Sequence, residues 1–159
     1  MKRLLLIVVG LSILLAPPPL LAEEKKEEKK EMTLAVGVYT WHFDSGDSNN
    51  FNRLLAFSYD NWCIGWFNNS HYNETVFAGY AFRTDKYSIS KTDNWFMRGG
   101  LYLGIVYGYG DDLPTNVGGF SPYALPVAEI GYKKVSFELG IIPAPGDAGL
   151  VTGILKYSF

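Results

Sequence analysis

His42, Asn69, Ser70 and His71 are the residues of this 159-residue chain whose types can do chemistry together. An imidazole can take the proton of a serine hydroxyl near neutral pH, and an amide can fix the ring or hydrogen-bond an acyl carbonyl. His71, beside Ser70, can stand in for either partner. The plainer alternative is that Ser and Asn are ordinary loop residues and that His42 only anchors a rim; spacing alone leaves both readings open. Other polar groups promise less. Asp44, Asp47, Asp111 and Asp112 read as solvated loop residues. Asp111 and Asp112 could touch a divalent cation, but no full ligand set accompanies them. Cys63 is the only cysteine, flanked by Trp62 and Ile64. It can form no disulfide within the chain, and it reads as a packing residue.

His42 and Asn69 meet only if the chain between them makes two passes of a sheet, so the elements decide. Residues 1–22 read as a signal peptide, with Lys2 and Arg3 before the apolar run Leu4–Leu15, then Pro17, Pro18 and Pro19 ahead of a cut after Ala22. That apolar run is too short for the roughly 20 residues of a membrane helix. Residues 23–31, EEKKEEKKE, have no apolar face and read as a solvated tether. The net charge is -2, and no basic patch is interleaved with aromatics, which disfavours nucleic acid as a partner.

Residues 32–159 hold no helical period sustained over three turns. Apolar and glycine-rich runs alternate instead with polar turns, predicting strands at Leu34–Phe43, Asn52–Tyr59, Trp62–Asn68, Thr75–Arg83, Trp95–Tyr109, Gly119–Tyr132, Val135–Ile142 and Leu150–Phe159. Asp60-Asn61 suits a primed hairpin turn, and Lys133-Lys134 is a weaker turn signal. Pro122 and Pro126 fall within the sixth run, where each removes a ladder donor.

Alternation assigns the faces. In the fifth run Trp95, Met97, Leu101, Leu103, Ile105, Tyr107 and Tyr109 share one side, a lipid-facing band with aromatics at both ends. The other side carries Arg98, Gly100, Tyr102, Gly104, Val106 and Gly108, where glycine predicts unfilled interior space. The same parity puts Trp62, Ile64 and Trp66 outside and Cys63, Gly65 and Phe67 inside. It puts Leu155, Tyr157 and Phe159 outside and Ile154, Lys156 and Ser158 inside. For the first run it places Leu34, Val36, Val38, Thr40 and His42 inside. The expected fold is all-β: an eight-stranded antiparallel transmembrane β-barrel with an apolar interior pocket, in a bacterial outer membrane. Eight strands leave room for side chains or one slim ligand, which disfavours a porin. In such a barrel the first and third strands end on the same rim, so His42, Asn69 and Ser70 converge by topology.

Tyr39-Thr40-Trp41-His42, Phe67-Asn68-Asn69-Ser70, Ala78-Gly79-Tyr80, the stretch from Pro122 through Pro126 to Tyr132, and Ile142-Pro143 give the chain a resemblance to the lipid A palmitoyltransferase (PagP) family. It extends from Tyr39 to Phe159. The resemblance implies transfer of an acyl chain from a phospholipid to lipid A by a monomer in the outer membrane, with no cofactor or metal. It implies that His42, Asn69 and Ser70 are the catalytic residues. Ala81, Gly100, Gly104 and Gly108 would line the acyl pocket, and Pro122, Pro126 and Pro143 would weaken strand pairing where lipids enter. Three departures stand out. Where the family has an amphipathic helix clamping the barrel's periplasmic end, only the Glu/Lys run and a few residues precede the first strand. Asn69 occupies the place of the family's aspartate, and Ala81 that of the glycine at the foot of the acyl pocket. The added methyl predicts a preference for chains shorter than palmitate. The competing expectation is a non-enzymatic outer-membrane barrel that binds lipid or shields the cell surface.

Overall fold

The computed structural model describes residues 30–43, 48–110, 113, 115–142 and 149–159. The signal peptide, the tether up to Lys29, Pro143 and the loop residues Asp44, Asp47, Asp111 and Asp112 lie outside them, as does the side chain of Val38. The strands are β1 (Met32–His42), β2 (Leu55–Tyr59), β3 (Trp62–Asn68), β4 (Glu74–Arg83), β5 (Tyr87–Ser88), β6 (Trp95–Tyr107), β7 (Phe120–Tyr132), β8 (Val135–Ile142) and β9 (Leu150–Ser158). Every pairing is antiparallel. β1 pairs with β9, and β4 pairs with β6, which closes eight strands into a barrel. The two residues of β5 continue the line of β4 along β6, pairing Tyr87 with Met97 and Ser88 with Phe96. No helix among the described residues is long and apolar enough to cross a membrane.

One end of the barrel carries Glu31, Phe159, the turns at Asp60-Asn61 and Lys133-Lys134 and the connection from β4 to β6; the other carries His42 and the 69–73 loop. Both short turns form, and the first residue of each has positive φ, 56° at Asp60 and 53° at Lys133. For lysine that conformation is uncommon, which is why the sequence signal there is weak.

Side chains alternate as the pleat demands. Trp62, Ile64, Leu103, Ile105, Leu155 and Tyr157 are exposed, while Cys63, Tyr102, Val106, Ile154 and Lys156 are buried. The outside is apolar along the barrel, with edge-on or tilted aromatic pairs near both ends. Trp62–Tyr80, Trp95–Tyr132 and Tyr157–Phe159 lie at the terminal end; Tyr39–Trp41 and Tyr107–Phe120 lie at the loop end.

Two expectations need correction. The first strand does not keep one parity: its register against β9 shifts between Gly37 and Tyr39. The extra residue of this bulge flips the faces, so Leu34 and Val36 point outward while Thr33 and Ala35 are buried. Beyond the bulge Thr40 is fully buried and His42 partly so, on the inner face as expected. The second strand begins at Leu55, three residues later than expected. The chain before it is irregular but still bridges its neighbours, Gly37 N–H donating to the Leu54 carbonyl and Asn68 N–H to that of Asn52.

Candidate active site

Two irregular segments at the loop end hold the candidate residues. The stretch Ser48–Leu54 lies between β1 and the loop after β3. Thr40 N–H donates to the Asn50 carbonyl at 2.9 Å, and Asn49 N–H donates to the Ser70 carbonyl at 2.9 Å. Asn52 Nδ2 donates to Thr40 Oγ1 at 2.7 Å, and that hydroxyl donates to Thr152 Oγ1 on β9 at 3.1 Å. These bonds hold the segment although Arg53, a non-glycine, sits at φ 43°.

Their effect is to bring three polar side chains into line. His42 Nε2 lies 2.8 Å from Ser70 Oγ, and His42 Nδ1 lies 2.9 Å from Asn50 Oδ1. Hydroxyl, imidazole and amide thus form a continuous chain at the rim. Topology brings together the expected His42 and Ser70. The residue on the far side of the ring is Asn50, which sequence reasoning missed. It lies within four consecutive polar residues, Asp47-Ser48-Asn49-Asn50, and nothing in that run marks the last as special.

Asn69 has a different task. It is fully buried, and its Oδ1 accepts the backbone N–H groups of His71 at 2.9 Å and Asn73 at 3.0 Å. Its Nδ2 donates to the Gly108 carbonyl at 3.1 Å. Asn69 therefore ties the 69–73 loop to the end of β6 and does not orient the imidazole. His71 occupies an exposed position of the same loop. Gly108, expected on a pocket wall, takes φ 124° just past β6 and supplies the carbonyl that Asn69 binds. Nearby, burial pushes the Tyr109 hydroxyl up to about 12.

Below the rim the interior is aromatic. Phe67, Phe77, Tyr109 and Tyr123 meet ring to ring at 6.0–6.3 Å between centroids. Tyr109, expected on the outer face, joins the inner rings because β6 ends at Tyr107 and Gly108, at φ 124°, breaks the alternation. The inner-face glycines accommodate these rings. Phe77 lies over Gly65, Tyr123 lies over both Gly79 and Gly104, and Leu125 lies over Gly140. A Cβ at Gly100 would come within 3.0 Å of the Phe82 carbonyl and 3.2 Å of Val127. The expected unfilled space at Gly100, Gly104 and Gly108 is therefore taken by neighbouring atoms. Ala81 is fully buried, clustered with Cys63 and Tyr102 and packed by Phe77, Tyr123, Leu125 and Val127.

Pro122 and Pro126 sit opposite Ile105 and Leu101 on β6. On the other side of β7, the described ladder to β8 starts only at Val127↔Gly140. Phe120–Pro126 therefore has no described strand partner on that side, consistent with the two missing donors.

Toward the terminal end the interior becomes ionic. Arg98 grips Glu129 through Nε at 2.7 Å and Nη2 at 3.3 Å, and Lys156 Nζ bridges Glu129 at 2.9 Å and Glu138 at 3.0 Å. Ser136 donates to Glu129, while Tyr102 donates to Glu138 at 3.2 Å and accepts from Arg83 at 3.0 Å. Register explains the assembly: Arg98, Glu129 and Glu138 are cross-strand neighbours on β6, β7 and β8, and Lys156 joins from β9. Glu31, expected in the solvated tether, instead closes this end through Arg98 at 3.3 Å and Lys86 at 2.9 Å. Burial alone would raise its pKa, but hydrogen bonds from Ser158 and Lys86 and the Arg98 charge outweigh it and hold the carboxyl at about 2.

A scan of the sequence against protein-family models and a search of curated proteins both find no match.

Proposed function

We propose that this chain is an outer-membrane acyltransferase that moves a fatty acyl chain from a phospholipid to lipid A or a related lipid. The observation that carries the reading is the 2.8 Å approach of His42 Nε2 to Ser70 Oγ at one rim of a closed barrel. A hydroxyl activated by an imidazole suits ester chemistry, and moving an existing ester calls for no redox group or nucleotide.

The outer surface supports the setting. Apolar side chains such as Ile64, 62% exposed, and Ile105, 53% exposed, occur around the barrel. A water-facing surface rarely carries so continuous an apolar band, whereas a lipid-facing one requires it. Thirteen residues of β6 extend about 43 Å at ~3.3 Å each, ample for a tilted strand to cross the apolar layer. The resemblance to lipid A palmitoyltransferases agrees with this reading. The weakened β7–β8 side at Pro122 and Pro126 offers lateral entry for a lipid. The acyl chain would take the aromatic half by displacing Tyr123 and Phe77, with Ala81 and the ionic layer as its floor and chains shorter than palmitate preferred.

One observation favours a second reading, a non-enzymatic barrel with lipid-binding or surface-protective roles: rings occupy the glycine faces and the far half is filled with ion pairs. Mass spectrometry of lipid A from cells expressing the chain separates the two. An added acyl group, absent with His42→Ala and with Ser70→Ala, is the expected result. Unchanged lipids from cells with folded protein in the outer membrane would favour the second reading.

A further inference from the structure

We infer that Asn50 is the positioning residue of a Ser70 nucleophile, and that Ser70 carries the acyl group covalently between donor and acceptor. The inference rests on the acyltransferase reading and extends it to the order of bond making.

The argument begins with the amide. Asn50 Oδ1, 2.9 Å from His42 Nδ1, is an oxygen that can only accept a hydrogen bond. The proton on the neutral ring must then sit on Nδ1. That leaves the Nε2 lone pair facing Ser70 Oγ at 2.8 Å, so the hydroxyl donates to the ring. Were the amide turned to present Nδ2, the ring would carry its proton on Nε2 and donate toward Ser70, and the serine could not be deprotonated. Asn50 is held for this task by its backbone, whose carbonyl accepts the Thr40 N–H. Asn69 is spent on the backbone of its own loop and on Gly108, so it does not compete for the ring.

In the first step Ser70 Oγ bonds to the carbonyl carbon of a lipid ester while its proton passes to His42 Nε2. The ester C–O bond then breaks, and the departing alkoxide takes that proton to become the lysolipid alcohol. In the second step an acceptor hydroxyl gives its proton to Nε2 as its oxygen attacks the acyl-serine. The bond between the acyl carbon and Ser70 Oγ breaks, and Oγ recovers the proton. Through both steps the Nδ1–H stays on Asn50, which steadies the ring in its protonated form without adding a charge of its own.

The test uses purified protein in detergent micelles and a long-chain alkyl fluorophosphonate, which bonds to an activated serine with loss of fluoride. One adduct on the peptide containing Ser70 is expected, with none in Ser70→Ala. Labelling slows at least roughly tenfold in His42→Ala and in Asn50→Ala, and Asn50→Asp recovers most of the rate lost in Asn50→Ala. Nitrogen-15 NMR supplies a readout that a merely structural asparagine would not move. The chain has only 2 histidines, so the His42 ring is resolvable. Nδ1–H is expected in the wild type, and the Nε2–H form preferred by free imidazole in Asn50→Ala. An Nε2–H ring in the wild type, or labelling unaffected by Asn50→Ala, would overturn the inference, and the wild-type spectrum decides even where a variant does not fold. Lipid A acylation without any Ser70 adduct would overturn the covalent step and leave the acyltransferase reading standing. An adduct with the Nδ1–H ring but no lipid acylation would sustain the inference about this site and remove the lipid acceptor.

Discussion

The two ends of the barrel interior solve the problem of buried polarity in opposite ways. At the terminal end the polar groups are charged, deeply buried and held on regular strands. Glu129 and Lys156 side chains are each 2% exposed, and the register of β6 to β9 aligns the partners. At the loop end the polar groups are neutral or titratable, and they sit on irregular chain held by side chain–backbone hydrogen bonds. Charges taken out of water need partners that cannot move away, so they belong on the rigid ladder. A proton-transfer site needs groups in reach of a ligand, which suits the loops.

The comparison makes its largest prediction at Glu129. Glu129→Ala leaves Arg98 and Lys156 without their shared partner and is expected to cost about 3–5 kcal/mol. His42→Ala, at a partly exposed rim, is expected to cost about 1 kcal/mol or less while abolishing the proposed acyl transfer. Urea-driven equilibrium unfolding in lipid vesicles measures both. If the two losses are equal, the terminal end is not the stability-bearing half.

How much of this was legible follows the same division. The eight strands of the barrel and the faces of β3, β6 and β9 could be read because alternation survives wherever one side is apolar and the ladder is regular; β5, two residues long, offers no such pattern. Parity also put Arg98 and Lys156 inside, yet the ionic layer escaped notice, because Glu129 and Glu138 reveal their role only when register sets them side by side. The inner face of β1 was misread before Gly37 since one bulged residue reverses parity and leaves no mark in composition. At the candidate site, topology sufficed to bring His42 and Ser70 together. Choosing Asn50 over Asn69 required the path of Ser48–Leu54, an irregular segment with no periodicity to read.

The outer face adds a contrast of the next size. Leu103, 41% exposed near the middle of β6, and Val135, 48% exposed at the first position of β8, both point outward. With the barrel in a bilayer, Leu103→Arg is expected to cost about 2–4 kcal/mol and Val135→Arg about 0–1 kcal/mol. Equal and negligible costs in lipid vesicles would contradict a membrane-spanning outer face.

A smaller effect tests the two asparagines against each other. Asn69→Asp introduces the residue type of the palmitoyltransferase pattern that the sequence resembles. If Asn69 served the imidazole, the added carboxylate would raise activity. Here an aspartate can still accept the N–H groups of His71 and Asn73, but it cannot donate to the Gly108 carbonyl and faces it with a negative charge. The expected outcome is a loss of about 1–3 kcal/mol and less acyl transfer. Faster hydrogen exchange at the His71 and Asn73 amides would locate the damage. Raised activity would return Asn69 to the catalytic role and displace Asn50.

The smallest effect concerns pH, and its direction follows from Glu31. Its carboxyl is held at about 2, below the 4.5 ordinary for a glutamate, so the folded state favours the charged form more than the unfolded chain does. The contribution is therefore complete above roughly 4.5 and is lost as pH falls from there toward 2. Protonation would leave Lys86 and Arg98 without one carboxylate, while Arg98 would keep its two bonds to Glu129. The loss should thus open the terminal mouth without dismantling the layer beneath it. Unfolding measured from pH 5 to pH 2.5 should show a shallow fall in stability that Glu31→Gln reduces. An identical acid dependence in Glu31→Gln would mean that the mouth contributes nothing and that the buried layer alone carries this end of the barrel.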